Sequence, residues 1–161
     1  MPDFADRPVV DQRRLRIDGP FTSADLEPIR RQLDTECAAW GVPPRVRSVL
    51  VLVATELVAN IVVHCDGEGR LQVALYRGRL VCQAFDRGPG IPRSHRAGWR
   101  PPSPSAPGGR GLWLARVFAD RFAVDSSPLG TTVTAVIDIR PSSSSLRGGS
   151  EPPDSSEADE R

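Results

Sequence analysis

Two periods of hydrophobic alternation divide this chain into elements. From Ser23, read as an N-cap with Asp25 and Glu27 in the first turn, Leu26, Ile29, Leu33 and Cys37 recur at helical spacing up to Trp40-Gly41. Val42-Pro43-Pro44 interrupts that pattern, and a second helix follows with Val46, Val49, Leu50, Val53, Leu57 and Ile61 on one side, ending near His64. The period then drops to two. Leu71, Val73 and Leu75 alternate, Arg77-Gly78-Arg79 turns, and Leu80 to Phe85 returns as a more buried strand, which predicts an antiparallel hairpin. Gly109-Arg110-Gly111 opens a third helix with Leu112, Ala115, Val117, Phe118 and Phe122 as its apolar positions. Closing strands are expected at Phe122 to Asp125 and Thr131 to Ile139, and a short opening strand at Leu15-Arg16-Ile17.

That order, strand-helix-helix-strand-strand-helix-strand-strand, predicts an α+β fold. Its form is a two-layer α/β sandwich with a mixed, mostly antiparallel sheet covered on one face by helices. A length of 161 residues suits one domain, placed at residues 13–140. Residues 1–12 are expected to be a flexible start. Residues 141–161 carry one large apolar residue, Leu146, among Ser, Pro, Gly and acidic positions, and are expected to be a disordered tail. Arg93 to Gly108 is proline-rich with little periodicity and reads as a mobile loop, in which Arg93, His95, Arg96 and Arg100 carry basic charge or potential charge.

Charge narrows the chemistry more than its total suggests. Lys+Arg 21 nearly balances Asp+Glu 20, so the balance points to no direct nucleic-acid partner and no membrane surface. Every basic residue is arginine, which excludes the phosphate-loop lysine and lysine Schiff-base mechanisms. Cys37, Cys65 and Cys82 have no C-x-x-C spacing, which suits a reducing compartment better than a zinc site or disulfide framework. The start Met-Pro-Asp-Phe-Ala-Asp-Arg lacks a signal-peptide core, and the run Val49 to Val63 contains Glu56 and is short for a span. Together these readings predict a cytoplasmic protein.

Candidate chemistry centres on that apolar run. Between Val49 and Val63 only Thr55, Glu56 and Asn60 are not apolar. Positions four apart on a helix are offset by about 40° and rise about 6 Å, so Glu56 and Asn60 share a face. They form either a polar edge or a site in which the Asn60 oxygen serves as a hard ligand for magnesium and Glu56 receives a proton. Asp86-Arg87-Gly88-Pro89-Gly90 is either a plain turn or a carboxylate placed to accept from an exocyclic amine such as that of adenine. Gly108-Gly109-Arg110-Gly111-Leu112 is either a glycine-rich helix start or a set of amides facing phosphates, with Arg110 as charge donor. Gly130-Thr131 by itself reads as a turn into a strand, and His64 as a packed residue one turn beyond Asn60.

In series, Glu56-x-x-x-Asn60, Asp86-x-Gly88-x-Gly90, Gly109-x-Gly111 and Gly130-Thr131 resemble the ATP-binding fold shared by DNA gyrase, heat-shock chaperones, MutL and histidine kinases, over roughly Leu15 to Ile139. The resemblance implies that Asn60 binds Mg2+ and Asp86 bonds adenine. It further implies that Gly88, Gly90, Gly109 and Gly111 hinge and close a lid, with Arg110 and Leu112 in the same nucleotide-binding segment, and that Thr131 supports the adenine contact. Within that superfamily the chain looks like the stand-alone anti-sigma factor serine kinases of the RsbW/SpoIIAB type. A phosphoacceptor hairpin or a transducing domain is not expected to fit beside the domain. Glu56-Leu57-Val58-Ala59-Asn60-Ile61-Val62-Val63-His64 is similar to that family's E-L-V-x-N-A-x-x-H. Ile61 replaces its usual small residue, and Val63 stands where a basic residue is common. The family implies ATP and Mg2+ as cofactors, Glu56 as base toward a serine on an anti-anti-sigma (STAS-domain) partner, sequestration of a sigma factor, and a homodimer. The other reading is a non-catalytic, ATP-gated protein-binding module.

Overall fold

A computed structural model describes residues 13–91 and 110–140. The expected mobile loop at 93–108, the expected flexible start, the expected tail and Gly109 lie outside the described residues. Within them, β1 (Arg13–Asp18) is followed by a 3-10 turn (Ser23–Asp25), α1 (Leu26–Ala39), α2 (Pro44–His64), β2 (Gly69–Tyr76) and β3 (Arg79–Asp86). Beyond residue 109 come α3 (Arg110–Phe118), β4 (Arg121–Ser127) and β5 (Gly130–Asp138). The strands form one sheet in the order β1-β2-β3-β5-β4, and every pairing is antiparallel.

Local chemistry accounts for the boundaries. The first helical segment is capped one residue before the expected position: Thr22 donates both its N–H (2.7 Å) and its hydroxyl (2.8 Å) to the Asp25 carboxylate. Those two bonds hold the Asp25 carboxyl below its usual range. Pro44 opens α2, where the missing N–H costs nothing because the first-turn amides have no helical acceptor. Between β2 and β3 the two-residue turn Arg77-Gly78 takes positive φ at both positions (47° and 75°), the twist that a tight hairpin requires.

The third helix is shorter than the pattern predicts. It stops at Phe118, and Phe122 belongs to β4 instead. Val117 (55% exposed) and Phe118 (46%) lie outside the core, because the helix packs through Gly111 and Ala115, its small buried residues.

Alternate strand residues supply one wall of the core: Leu71 and Val73, Leu80, Cys82 and Ala84, and Val133, Ala135 and Ile137. Ile29, Leu33 and Cys37 of α1 and Leu50, Val53, Leu57, Val58 and Ile61 of α2 supply the other. By length and composition α2 could cross a membrane, with 21 residues and a mean hydropathy of 2.0. It is longer than the run Val49 to Val63 because Pro44 to Ser48 belong to it. In this fold it is the central core helix, packed on α1, α3 and the sheet.

The core also holds thiols where water cannot reach them. Burial pushes Cys82 from the ordinary 9.0 up to about 12, and burial with Asp34 nearby pushes Cys37 up to about 11. Unfolded thiols lose protons above about pH 9, whereas the folded ones keep them, so the unfolded state is favoured as pH rises. Urea midpoints measured from pH 8 upward should therefore hold steady to about 9 and then fall, and Cys82→Ala should flatten that fall. No lysine is present to add its own titration there.

Candidate functional site

The carboxyl-terminal half of α2 carries the predicted pair. Glu56 and Asn60 are both half-buried, one turn apart, and the start of α3 packs directly on them. A Cβ added at Gly111 would come within 2.9 Å of Glu56 Oε2, 3.3 Å of Asn60 Oδ1 and 3.4 Å of Asn60 Nδ2. The helix start therefore lies close against both polar groups, and a side chain at Gly111 would displace the Glu56 carboxylate. Asn60 Nδ2 is buried with no hydrogen-bond partner, an unusual state for an amide inside a protein. The carboxamide is thus held without a described protein partner at that nitrogen, facing the helix start that the sequence reading assigned to phosphates.

Glu56 also borders a second space. A groove of about 600 Å³ runs between α1 and α2, lined by residues including Arg30, Arg31, Ser48, Leu52, Thr55 and Glu56. Thr55, buried among the valines, keeps its hydroxyl satisfied by donating to the Val51 carbonyl (2.6 Å) and accepting from Arg30 Nε (3.3 Å). Glu56 therefore stands between this groove and the Gly111–Asn60 face.

Asp86 ends β3 opposite Thr131 of β5. Its Oδ1 accepts from the Gly88 amide (2.9 Å) and the Thr131 amide (3.2 Å), so the carboxylate is oriented by two backbone donors. The strand ends lie so close that a side chain on Gly130 (φ 144°) would run into the Asp86 carbonyl. Gly90 (φ 81°) is equally tight against Ser127 of β4. Thr131 is buried, with its hydroxyl 3.0 Å from that of Ser126, whose oxygen accepts the Ile91 amide at 2.7 Å. Ser126 thus ties the turn after Asp86 to β4. No sequence reading singled it out, and its one signal is its place opposite Thr131 in a strand register that the chain order alone does not define.

The structure brings Glu56, Asn60 and Gly111 into one group, and Asp86, Gly88, Gly90 and Thr131 into another. The end of α2 joins them. Cys65, the C-cap residue, lies against Gly88 and Asp86, and the rise from Asn60 to Cys65 is about 7–8 Å. Leu112 is half-buried and packs against the core, while Arg110 opens α3 at the exposed surface. His64, the last residue of α2, is exposed rather than packed, as is its neighbour Val63 (71%). Gly109 and the basic positions Arg93, His95, Arg96 and Arg100 lie outside the described residues.

The class to which this antiparallel sheet and its covering helices belong is given by comparison with known families. Residues 19–137 match the family described as the histidine kinase-like ATPase domain, and the chain belongs to that family. Membership implies ATP binding. Among solved structures, the chain is similar to the RsbU and RsbW domains of Rv1364c from Mycobacterium tuberculosis, at 21% identity and a TM-score of 0.58, over 78% of this chain and 32% of that one. It is also similar to the SiaB–SiaC complex from Pseudomonas aeruginosa, at 16% identity and a TM-score of 0.58, over 76% of this chain and 88% of that one. A third likeness is to the Erythrobacter litoralis EL346 blue-light activated histidine kinase, at 22% identity and a TM-score of 0.50, over 61% of this chain and 32% of that one. The chain thus spans about a third of the Rv1364c and EL346 chains. A search of curated proteins finds no match.

Proposed function

We propose that this protein is an ATP- and magnesium-dependent regulatory protein-serine kinase of the anti-sigma type, transferring phosphate to a serine on an anti-anti-sigma (STAS-domain) partner. The observation that carries the proposal is the position of Glu56, between an open groove and the Asn60–Gly111 face. A purely gating module needs a nucleotide contact on one side only. A kinase needs a carboxylate that an incoming hydroxyl can also reach.

The residues present fit a magnesium ion shared with the nucleotide. Among the described residues no cluster of three His, Cys, Asp or Glu side chains could hold an ion unaided. Magnesium suits one or two protein oxygens, with phosphates and waters completing its shell, and the Asn60 carboxamide with its unpartnered buried nitrogen offers one such oxygen. When bound, the ion would neutralise phosphate charge. In this reading Asp86 accepts from the adenine amine while Thr131 and Gly88 hold it. The amides at the start of α3, with Arg110, meet the phosphates, and Glu56 takes the serine proton. The cytoplasm is the matching compartment.

Radiolabelled ATP incubated with the protein and each co-encoded STAS-domain protein tests the reading. Label should appear on a partner serine and require magnesium. Tight ATP binding with no transfer to any such partner would remove the kinase assignment and leave the gating module. The resemblance extends the proposal to sigma-factor capture and to pairing with a second copy, which light scattering on the same mixtures reads. A monomer indifferent to every co-encoded sigma factor would count against both.

A further inference from the structure

The two edges of the sheet differ in what a second copy of this chain would meet there. Among the described residues β1 pairs only with β2 and β4 only with β5, so each edge offers unpaired N–H and C=O groups to a further strand. β1 is guarded by charge. Set antiparallel against another β1 about Leu15, it places Arg14 opposite Arg16; set about Arg16, it places that arginine opposite itself. β4 reads the other way. In Arg121-Phe122-Ala123-Val124-Asp125, exposed Arg121, Ala123 and Asp125 alternate with Phe122 and Val124, which pack against the core. Set about Ala123, a second β4 puts Arg121 opposite Asp125 and Phe122 opposite Val124, and symmetry repeats both pairs.

The strand register places Arg121 and Asp125 on the same sheet face as Asp18 and Asp138. Those two acids are matched within the chain: Asp18 lies 2.8 Å from Arg16 and 2.6 Å from Arg70, and Asp138 lies 3.0 Å from Arg79. Asp125 and Arg121 have no ion-pair partner among the described residues. Four residues of strand, about 13 Å, keep them from each other.

We propose that β4 is an interface strand, on which a second copy of this chain pairs antiparallel about Ala123. Two five-stranded sheets then join into one through backbone hydrogen bonds, two Arg121–Asp125 ion pairs and two Phe122–Val124 contacts. The inference rests on the pairing with a second copy proposed above and names its surface; it is independent of the kinase reading. The exposed Val117 and Phe118 end the helix that leads into β4, which adds apolar surface near the same edge. A ladder of this length is small beside the ~800 Å² per partner of a tight interface, so the pair forms and separates with concentration.

Sedimentation velocity on the full chain, across a concentration series, tests the register by charge reversal. Arg121→Asp and Asp125→Arg should each raise the dimer dissociation constant by roughly ten-fold or more, because each sets like charges opposite one another at both ends of the ladder. Both side chains are exposed, so melting temperatures should match wild type. The variant carrying both reversals should pair as wild type does. An equimolar mixture of the two single variants should form mixed dimers, since opposite charges face each other again. Single variants that pair like wild type would overturn the β4 surface and leave dimerisation to another face. Loss of pairing that neither the double reversal nor the mixture restores would overturn the register. A wild-type chain that stays monomeric throughout would remove the pairing with a second copy and this inference together.

Discussion

Asn60→Ala should weaken ATP binding in magnesium by roughly ten- to a hundred-fold, the range seen when a group supporting a metal site is lost. In excess chelator the variant and wild type should differ far less, because magnesium no longer links the nucleotide to the helix. The physical basis is the state of the carboxamide: its nitrogen is buried without a partner, and the start of α3 lies within contact range of its oxygen. Replacing it by alanine removes an unsatisfied polar atom and improves helix propensity, so the fold should not suffer by more than about 1 kcal/mol. A calorimetric series with and without magnesium, beside thermal melts, separates these effects. Four equal affinities would remove Asn60 from the site.

Glu56→Gln should lower phosphoryl transfer by roughly 10²- to 10⁴-fold, the usual contribution of a positioned general base, while ATP affinity stays near wild type. Glutamine preserves the shape that packs against Gly111 and the α1–α2 groove but cannot take a proton. Single-turnover transfer rates, with nucleotide affinity measured on the same preparation, read both quantities. Unchanged regulation of the partner by Glu56→Gln would mean that the protein works by gated binding. Under the proposed function the two substitutions would divide the site: loss of Asn60 would impair either function, and loss of Glu56 only the kinase.

The helical pattern around these residues was legible because α2 is apolar on nearly every side and two polar residues four apart stand out against it. The turn Arg77-Gly78 and the end of β3 at Asp86 were equally plain, since glycine and a change of period mark strand ends. The third helix was overextended because Val117, Phe118 and Phe122 continue an apolar spacing across a boundary. In the fold Val117 and Phe118 are exposed and Phe122 sits in β4, so the spacing did not report burial. Ser23 is a favoured capping residue, yet the Asp25 carboxylate selects Thr22 as the cap.

By itself the sequence determined the order of elements, the shared face of Glu56 and Asn60, and the exclusion of lysine-based phosphate chemistry. These are local matters, decided by helical geometry and residue type. Tertiary structure alone decided that Gly111 lies on Glu56 and Asn60, that Thr131 and Gly88 turn their amides on Asp86, that Ser126 accepts the Ile91 amide, and that Cys65 packs against Gly88. Each of those contacts joins residues brought together by strand register or helix packing. Their spacing along the chain carries no trace of the approach.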